Sequence, residues 1–137
     1  MAFETTRRLR FGDCDPSGIA YFPSYMDMLV GVTEDMFEAI GWPWPRLARE
    51  WRITTPTVRL DVTFVKPGME GDRLSFRCRI DRIGNSSLDL AHEVSAADVL
   101  WRAEQRLVAT AADTHRPLGW PDPVRAALAQ HLDTADA

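Results

Sequence analysis

One segment, residues 23–40, combines helical spacing of apolar residues with sharp boundaries, and it constrains the fold more than any other part of the chain. Its apolar positions recur at intervals of three, four and one, as expected for one buried helical face: Tyr25, Leu29, Val32, Met36, Phe37 and Ile40. Gly41 and the prolines Pro43 and Pro45 end this pattern. The sequence therefore predicts one long helix whose apolar face must be covered by other elements.

Several other segments alternate apolar and polar residues, which is typical of half-buried strands. The positions expected to share one face in each of the first three segments after the helix are Val58, Leu60, Val62 and Phe64, then Leu74, Phe76, Cys78 and Ile80, then Leu88, Leu90, His92, Val94 and Ala96. We expect a further strand over residues 99–114 and an earlier one over residues 3–11. Residues 68–72 and 84–87 are predicted hairpin loops, so the strands after the helix form an antiparallel meander.

These elements predict an α+β fold in which an antiparallel sheet wraps around one long central helix. Short turns are expected over residues 46–51, and a terminal helix over residues 121–132. A chain of 137 residues with 45% hydrophobic content fits a single domain, residues 1–137. Because one helix cannot cover both faces of the sheet, we expect a homo-oligomer, either a homodimer or a homotetramer.

Composition excludes several classes of partner. The formal net charge is −4, and no basic cluster is longer than Arg7-Arg8, which argues against nucleic acid. The sequence shows neither a signal peptide nor an apolar run that could span a membrane, which predicts a cytoplasmic protein without a membrane partner. Cys14 and Cys78 lie far apart in sequence and predict free thiols rather than a disulfide or a metal site.

An acidic loop directly before the helix is the strongest indication of function. It contains Asp13, Asp15 and Pro16, and the first amides of the following helix have no internal acceptors. A helix N-terminus favours an oxygen that gains negative charge during acyl transfer, and a carboxylate beside it can act as base or nucleophile. Either aspartate could instead serve as a turn or cap residue. Cys14 has no histidine nearby to activate it as a nucleophile.

The order of elements and this loop together resemble the hotdog-fold thioesterases, most closely the 4-hydroxybenzoyl-CoA thioesterase group. The resemblance covers residues 3–114 and is densest in Phe11-Gly12-Asp13-Cys14-Asp15-Pro16-Ser17-Gly18-Ile19 and Tyr21-Phe22-Pro23-Ser24-Tyr25. It implies an acyl-CoA thioesterase that acts on a benzoyl or hydroxybenzoyl thioester in aromatic degradation. Coenzyme A is then part of the substrate, and neither a separate cofactor nor a metal is expected.

The resemblance also assigns roles to residues. The catalytic carboxylate falls on Asp15, which attacks the thioester carbonyl or activates water against it. The amide that polarises the thioester oxygen falls on Phe22, whereas Asp13 is left as a turn residue. Contacts with the acyl group are expected from Tyr21, Tyr25 and Thr55.

The turn at residues 84–87 departs from the family pattern, in which adjacent basic residues at this turn meet the phosphates of coenzyme A. We expect these basic residues to be replaced by hydroxyls and amides of the turn, by a flanking arginine, or by arginines of a neighbouring subunit. The predicted contacts within one chain are Arg82, Asn85, Ser86 and Ser87.

Histidines help to separate the competing reactions. The first is His92, so a hydratase that moves protons at carbon with a histidine is disfavoured. His92, His115 and His131 are expected to be structural or exposed. Two alternatives stay open: a thioesterase for short or medium aliphatic acyl-CoA, and a non-catalytic module that binds acyl-CoA or an acyl carrier.

Overall fold

A five-stranded antiparallel sheet packs against one long helix in the computed structural model, which describes residues 2–132. The helices are α1 (Phe22–Ala39), α2 (Trp44–Trp51) and α3 (Asp122–Gln130). The strands are β1 (Phe3–Arg8), β2 (Ile53–Thr54), β3 (Thr57–Phe64), β4 (Arg73–Ile83), β5 (Ser87–Ser95), β6 (Val99–Val108) and β7 (Thr110–Ala111). The predicted helix over residues 23–40 and the terminal helix thus lie within one or two residues of their observed bounds.

The strand order is β1-β4-β5-β6-β3, which corrects one part of the prediction. We expected residues 68–72 to join β3 and β4 as a hairpin, but β3 pairs with β6 and β4 pairs with β1. The meander is therefore limited to β4, β5 and β6. Sequential strands usually pair, but here the connection runs past the start of α1, where Gly68 O accepts a hydrogen bond from Ala20 N–H at 2.9 Å.

The core lies between α1 and the inner face of the sheet. The buried side of α1 contains the predicted positions Tyr25, Leu29, Val32, Met36 and Phe37, and Thr33 with them. Strands β4 and β5 bury every second residue against this helix, as their alternation predicts. No helix within residues 2–132 has the length and apolar character needed to cross a membrane.

A buried polar network links the helix to three strands. His92 Nε2 and Thr33 Oγ1 both lie within hydrogen-bond distance of Gln105 Oε1, at 2.8 and 3.1 Å, and Gln105 Nε2 donates to Thr57 Oγ1 at 2.9 Å. Burial lowers the pKa of His92, so its imidazole is neutral at pH 7. His92 therefore has the structural position expected for it.

The last predicted strand divides into two. β6 ends at Val108, and β7 leaves the main sheet to pair with β2. The chain then returns to the turn at residues 84–87, where Arg125 donates to Gly84 O at 2.7 Å and to Asn85 O at 3.0 Å. Trp120 Nε1 donates to Ser87 O at 3.0 Å. The C-terminal segment thus holds this turn.

Candidate active site

The acidic loop closes on itself directly before α1. Asp15 N–H donates to Ile19 O at 2.9 Å, and Cys14 and Ala20 form an antiparallel bridge. Tyr21, which caps the helix, donates its N–H to Asp13 O at 2.9 Å. The loop therefore places Asp15 and the first turn of α1 at the same end of the molecule.

The carboxylate of Asp15 is exposed and asymmetrically bonded. Its Oδ1 accepts hydrogen bonds from the Ser17 N–H, at 2.9 Å, and from the Ser17 hydroxyl, whereas no donor is found for Oδ2 among residues 2–132. These bonds, with the Ser17 hydroxyl as the larger contributor, lower the pKa of Asp15. One oxygen is therefore fixed while the other faces solvent as an ionised, available base or nucleophile.

The start of α1 offers a hydrogen-bond donor that can act on a carbonyl group together with this carboxylate. Helix α1 begins at Phe22, and Pro23 follows in the first turn, where its missing N–H removes no helical bond. Within the described part of the chain, no acceptor is found for the Phe22 N–H. This amide, at the positive end of the helix dipole, is suited to bind a carbonyl oxygen.

Exposed aromatic side chains surround the helix start. The Phe22 ring lies 6.3 Å from the rings of both Tyr21 and Phe64, measured between centroids. These three side chains, which we call the aromatic patch, are 55%, 59% and 52% exposed for Tyr21, Phe22 and Phe64 respectively. Contiguous exposed apolar surface is a common feature of binding sites. The patch joins the start of α1 to the end of β3.

Tyr25 lies beneath this patch rather than in it. Its ring stacks on Phe64 at 6.5 Å, and burial raises its pKa to about 12. The hydroxyl lies against Gly68 without a hydrogen-bond partner in the described residues. Direct contact of Tyr25 with an acyl group stays a prediction. Tyr25 supports the loop by its contact with Gly68, whose carbonyl accepts the Ala20 N–H.

The remaining polar groups of the loop have structural roles. Asp13 Oδ2 accepts a hydrogen bond from Arg10 N–H at 2.9 Å and so closes the short 3-10 turn at Phe11–Asp13. Partial burial, followed by the charge of Asp13 and other carboxylates, raises the pKa of the Cys14 thiol. A thiol with a raised pKa is a poor nucleophile at neutral pH.

The other predicted site residues lie at the opposite end of the sheet in the same chain. Thr55 precedes β3, whereas the aromatic patch lies at the end of that strand. Strand β4 has 11 residues between the loop and the turn at residues 84–87, a span of roughly 33 Å. One chain alone therefore does not bring Thr55, Arg82 or the turn beside Asp15.

The turn is held by several hydrogen bonds; the side chains of Ser86 and Ser87 are half-buried, and the Ser87 hydroxyl lies against Gly84. Its carbonyls accept hydrogen bonds from Arg125, Trp120 and Ala109, which leaves the Asn85 side chain exposed. Arg82 lies opposite Asp89 in the sheet, but Arg106 occupies both Asp89 oxygens at 2.7 and 3.0 Å and lowers the Asp89 pKa. The guanidinium of Arg82 is therefore available to an anion.

Sequence reasoning missed two parts of this arrangement. Ser17 fixes the catalytic candidate, and the Asx-turn spacing Asp15-Pro16-Ser17 was a usable signal for it. Arg125 places a cation at the turn that lacks basic residues of its own, but no pattern in the sequence connects residues 40 positions apart.

The fold and this loop define a class of protein. The profile of the thioesterase-like superfamily matches residues 9–128, and the chain belongs to that family. The predicted hotdog fold and the prediction of an acyl-CoA thioesterase are thereby confirmed.

Individual relatives are more distant. A 1,4-dihydroxy-2-naphthoyl-CoA hydrolase of Acaryochloris marina is 26% identical over 110 residues, which cover 80% of this chain and 77% of the relative. A 4-hydroxybenzoyl-CoA thioesterase of Pseudomonas sp. is 34% identical over 91 residues, covering 65% and 64%. A solved 4-hydroxybenzoyl-CoA thioesterase, an aspartate-to-asparagine mutant in complex with 4-hydroxybenzoyl-CoA, superposes with a TM-score of 0.87 at 26% identity and covers 93% of this chain and 98% of its own.

Within residues 2–132, no three His, Cys, Asp or Glu side chains are arranged to hold a metal ion. The acidic loop contributes several carboxylates, but Asp13 and Asp15 are each engaged with different backbone groups.

Proposed function

We propose that the protein hydrolyses aromatic acyl-CoA thioesters, of the benzoyl or hydroxybenzoyl type, to the free acid and coenzyme A. The observation that supports this most directly is the exposed, ionised Asp15 carboxylate, with one free oxygen, in a loop that ends at the unpaired Phe22 amide. A carboxylate and a carbonyl-binding amide are the minimum set for this reaction.

The proposed reaction uses both groups together. The Phe22 N–H donates to the thioester oxygen and stabilises the negative charge that develops on it. Asp15 either attacks the carbonyl carbon and forms an anhydride, which water then hydrolyses, or takes a proton from the water that attacks. In both routes the C–S bond breaks and coenzyme A leaves as the thiolate.

The preference for an aromatic acyl group is supported by two observations. The side chains next to Phe22 form an aromatic patch, which suits a flat ring. The relatives named above act on naphthoyl-CoA and hydroxybenzoyl-CoA. We extend this substrate class, but neither individual substrate, to the present protein.

Thiol release from a panel of acyl-CoAs tests the proposed function. We expect turnover of benzoyl-, hydroxybenzoyl- and naphthoyl-CoA, and kcat/KM lower by at least an order of magnitude for acetyl-, butyryl- and octanoyl-CoA. A preference for straight chains would overturn the aromatic class alone. Release of thiol from none of these substrates would favour a binding module instead.

We further propose that the working unit contains a pair of chains joined through β3. This strand is an edge of the sheet, and it exposes apolar side chains on the surface, including Val58 at 56% and Leu60 at 40%. An exposed apolar edge strand readily pairs with a second copy of itself. Antiparallel pairing near Leu60 and Asp61 brings the Thr57 end of one copy to the Phe64 end of the other.

This pairing accounts for the separated site residues. Thr55 of one copy then lies near the aromatic patch of the other, and the turn at residues 84–87 lies at the same end as the other copy's Asp15. Arg82, Asn85, Ser86 and Ser87, with Arg125 behind them, are then placed to hold the phosphates of coenzyme A. The pairing therefore places the phosphate-binding residues of one copy at the same end as the other copy's Asp15, which one chain alone does not do.

A charge in the middle of β3 should separate the pair. We expect Leu60→Glu to convert a dimer, or a tetramer built from it, to monomers in sedimentation experiments and to lower kcat/KM by at least about 100-fold, because two carboxylates would face each other across the axis. Thr63→Glu, on the outward face of the same strand, is the control. A Leu60→Glu variant that keeps its assembly would contradict pairing through β3.

A further inference from the structure

The carbonyl groups of the turn at residues 84–87 accept hydrogen bonds from the segment that follows β6. Arg125 Nη2 donates to Gly84 O at 2.7 Å and to Asn85 O at 3.0 Å, and the Trp120 N–H also donates to Asn85 O, at 3.0 Å. The other two carbonyls accept from a backbone amide of the same segment, at 2.7 Å, and from Trp120 Nε1, at 3.0 Å. The C-terminal segment thus occupies every carbonyl of the turn.

The two peptide N–H groups in the middle of the turn point the opposite way. In a trans peptide the C=O of one residue and the N–H of the next are antiparallel, and the described part of the chain contains no cis peptide bond. The Asn85 N–H therefore points away from Gly84 O, and the Ser86 N–H points away from Asn85 O. Because Arg125 Nη2 binds both carbonyls, both N–H groups lie on the side of the turn that faces away from this guanidinium.

These two N–H groups form a site for an anion. No acceptor is found for either of them within residues 2–132, and neighbouring backbone N–H groups without acceptors make a concave anion-binding surface. Asn85 is exposed and Ser86 half-buried, so a ligand can reach the site. The turn contains no acidic residue, and Arg82 adds a cation near the end of β4. In the substrate proposed above, the anionic groups are the phosphates of coenzyme A.

Two polar side chains of the turn contact the chain itself. The Ser87 hydroxyl lies against Gly84, where an added Cβ would collide with it. The Asn85 side chain lies 3.5 to 3.7 Å from the position that a Cβ would take at Gly119. We therefore assign the anion to the backbone N–H groups rather than to these side chains.

We propose that Arg125 is a positioning residue for the substrate, which holds the turn so that the Asn85 and Ser86 N–H groups bind a phosphate of coenzyme A. The inference rests on the proposed thioester hydrolysis, but every contact that it uses lies within one chain. Without Arg125, the two peptides can rotate and turn their carbonyl oxygens toward the phosphate, which repels them. Arg125 thereby gives α3, which the sequence did not connect with function, a role in substrate binding.

Two thioesters that differ only in their phosphates test this role. Benzoyl-pantetheine has the acyl and pantetheine parts of benzoyl-CoA but no phosphate. We expect Arg125→Met to raise KM for benzoyl-CoA by about tenfold or more with little change in kcat, because these bonds are equally strong in the bound substrate and the transition state. Hydrolysis of benzoyl-pantetheine should be unchanged, whereas a purely structural role would impair both substrates alike. Arg73→Met, which removes a cation at the opposite end of β4, is the control and should change neither.

Nuclear magnetic resonance observes the two amides without the reaction. Isotope-labelled wild type and Arg125→Met are titrated with adenosine 3′,5′-bisphosphate as the probe. We expect the Asn85 and Ser86 amide signals to shift in wild type, and the variant to need about tenfold more probe or beyond for the same shift. Equal titrations in the two proteins, or equal losses on both thioesters, would overturn the inference while wild-type hydrolysis still upheld the proposed function. Absence of wild-type turnover on both thioesters would overturn the proposed function, and the titration would then show separately whether the turn binds the probe.

Discussion

Replacing Asp15 by asparagine should lower kcat for thioester hydrolysis by about 10²- to 10⁴-fold, the usual contribution of a positioned acid–base or nucleophilic group. The amide keeps the shape of the side chain, and its oxygen can still accept the two hydrogen bonds from Ser17. The free oxygen of the carboxylate, however, is replaced by an NH₂ group that neither attacks a carbonyl nor takes a proton from water. We therefore expect a folded protein that binds substrate but turns it over slowly.

The measurement is single-turnover and steady-state thiol release, with circular dichroism and thermal unfolding as checks of the fold. Asp13→Asn is the matched control, because Asp13 belongs to the same loop but accepts a bond from Arg10 N–H as a cap. We expect Asp13→Asn to change stability and chemistry little, because an asparagine oxygen can also accept the Arg10 N–H. Undiminished turnover in Asp15→Asn, or equal losses in both variants, would remove Asp15 from the reaction.

The pH dependence of kcat gives an independent check on the same group. Ser17 lowers the Asp15 pKa, so the carboxylate stays ionised over a wider acidic range than an ordinary aspartate, and activity should fall only below the usual carboxyl range. Ser17→Ala removes the hydroxyl donor, which should move the acidic limb of the profile to higher pH. A limb at the same pH in Ser17→Ala would show that another group titrates there.

Isotopic labelling tests for attack by Asp15 on the substrate. A single turnover in labelled water, followed by mass analysis of the peptide that contains Asp15, detects oxygen exchange into the carboxylate. Incorporation shows attack by Asp15, because hydrolysis of the anhydride returns a solvent oxygen to one of its two acyl groups. If no oxygen is incorporated over repeated turnovers, water attacks either the substrate carbon of an anhydride or the thioester itself with Asp15 as base, and the anhydride is not opened at the Asp15 carbon.

Local patterns predicted the elements well because their physical causes are local. The apolar face of α1 follows from helical spacing, and the buried residues of β4 and β5 follow from alternation. The acidic loop was likewise readable, since proline, glycine and aspartate each restrict the backbone in a known way. These features need no knowledge of distant residues.

Pairing between strands was not determined by such patterns. β3 and β4 are consecutive and each alternates, yet β3 joins β6 and β4 joins β1. An edge strand and an internal strand can show the same alternation of apolar and polar residues. Which strands become neighbours depends instead on which connecting segment crosses the helix. The support of the turn by Trp120 and Arg125 was also beyond reach, because single hydrogen bonds between distant segments leave no periodic signal.

The site residues also divide into those whose proximity follows from local sequence and those whose proximity does not. Asp15 and the start of α1 belong to one continuous stretch, so their proximity could be predicted. Thr55 and the turn at residues 84–87 depend on another part of the sheet and, in our proposal, on a second chain. The family resemblance identified those residues but not their positions relative to Asp15. The strand order and the length of β4 explain why one chain cannot bring them to Asp15.

Gly68 links the loop to the core, and Gly68→Ala should lower the free energy of unfolding by about 1–3 kcal/mol, the usual cost of overpacking. An added Cβ collides with the Tyr25 hydroxyl and also approaches Leu9 and Leu100 at 3.3 and 3.4 Å. Tyr25 is buried between Phe64 and Trp101 and has little room to move away.

The same substitution should also reduce activity, because Gly68 O accepts the Ala20 N–H and so holds the loop that contains Asp15. Denaturant unfolding and kcat are measured for Gly68→Ala, Tyr25→Phe and the double variant, with Gly12→Ala as control, since no atom lies within 4 Å of a Cβ at Gly12. The Tyr25 hydroxyl has no hydrogen-bond partner in the described residues, so Tyr25→Phe alone should cost little, and it should restore most of the stability and activity lost in Gly68→Ala. If the double variant were no better than Gly68→Ala, the collision with Tyr25 would not be the cause, and the loss would instead come from the contacts with Leu9 and Leu100.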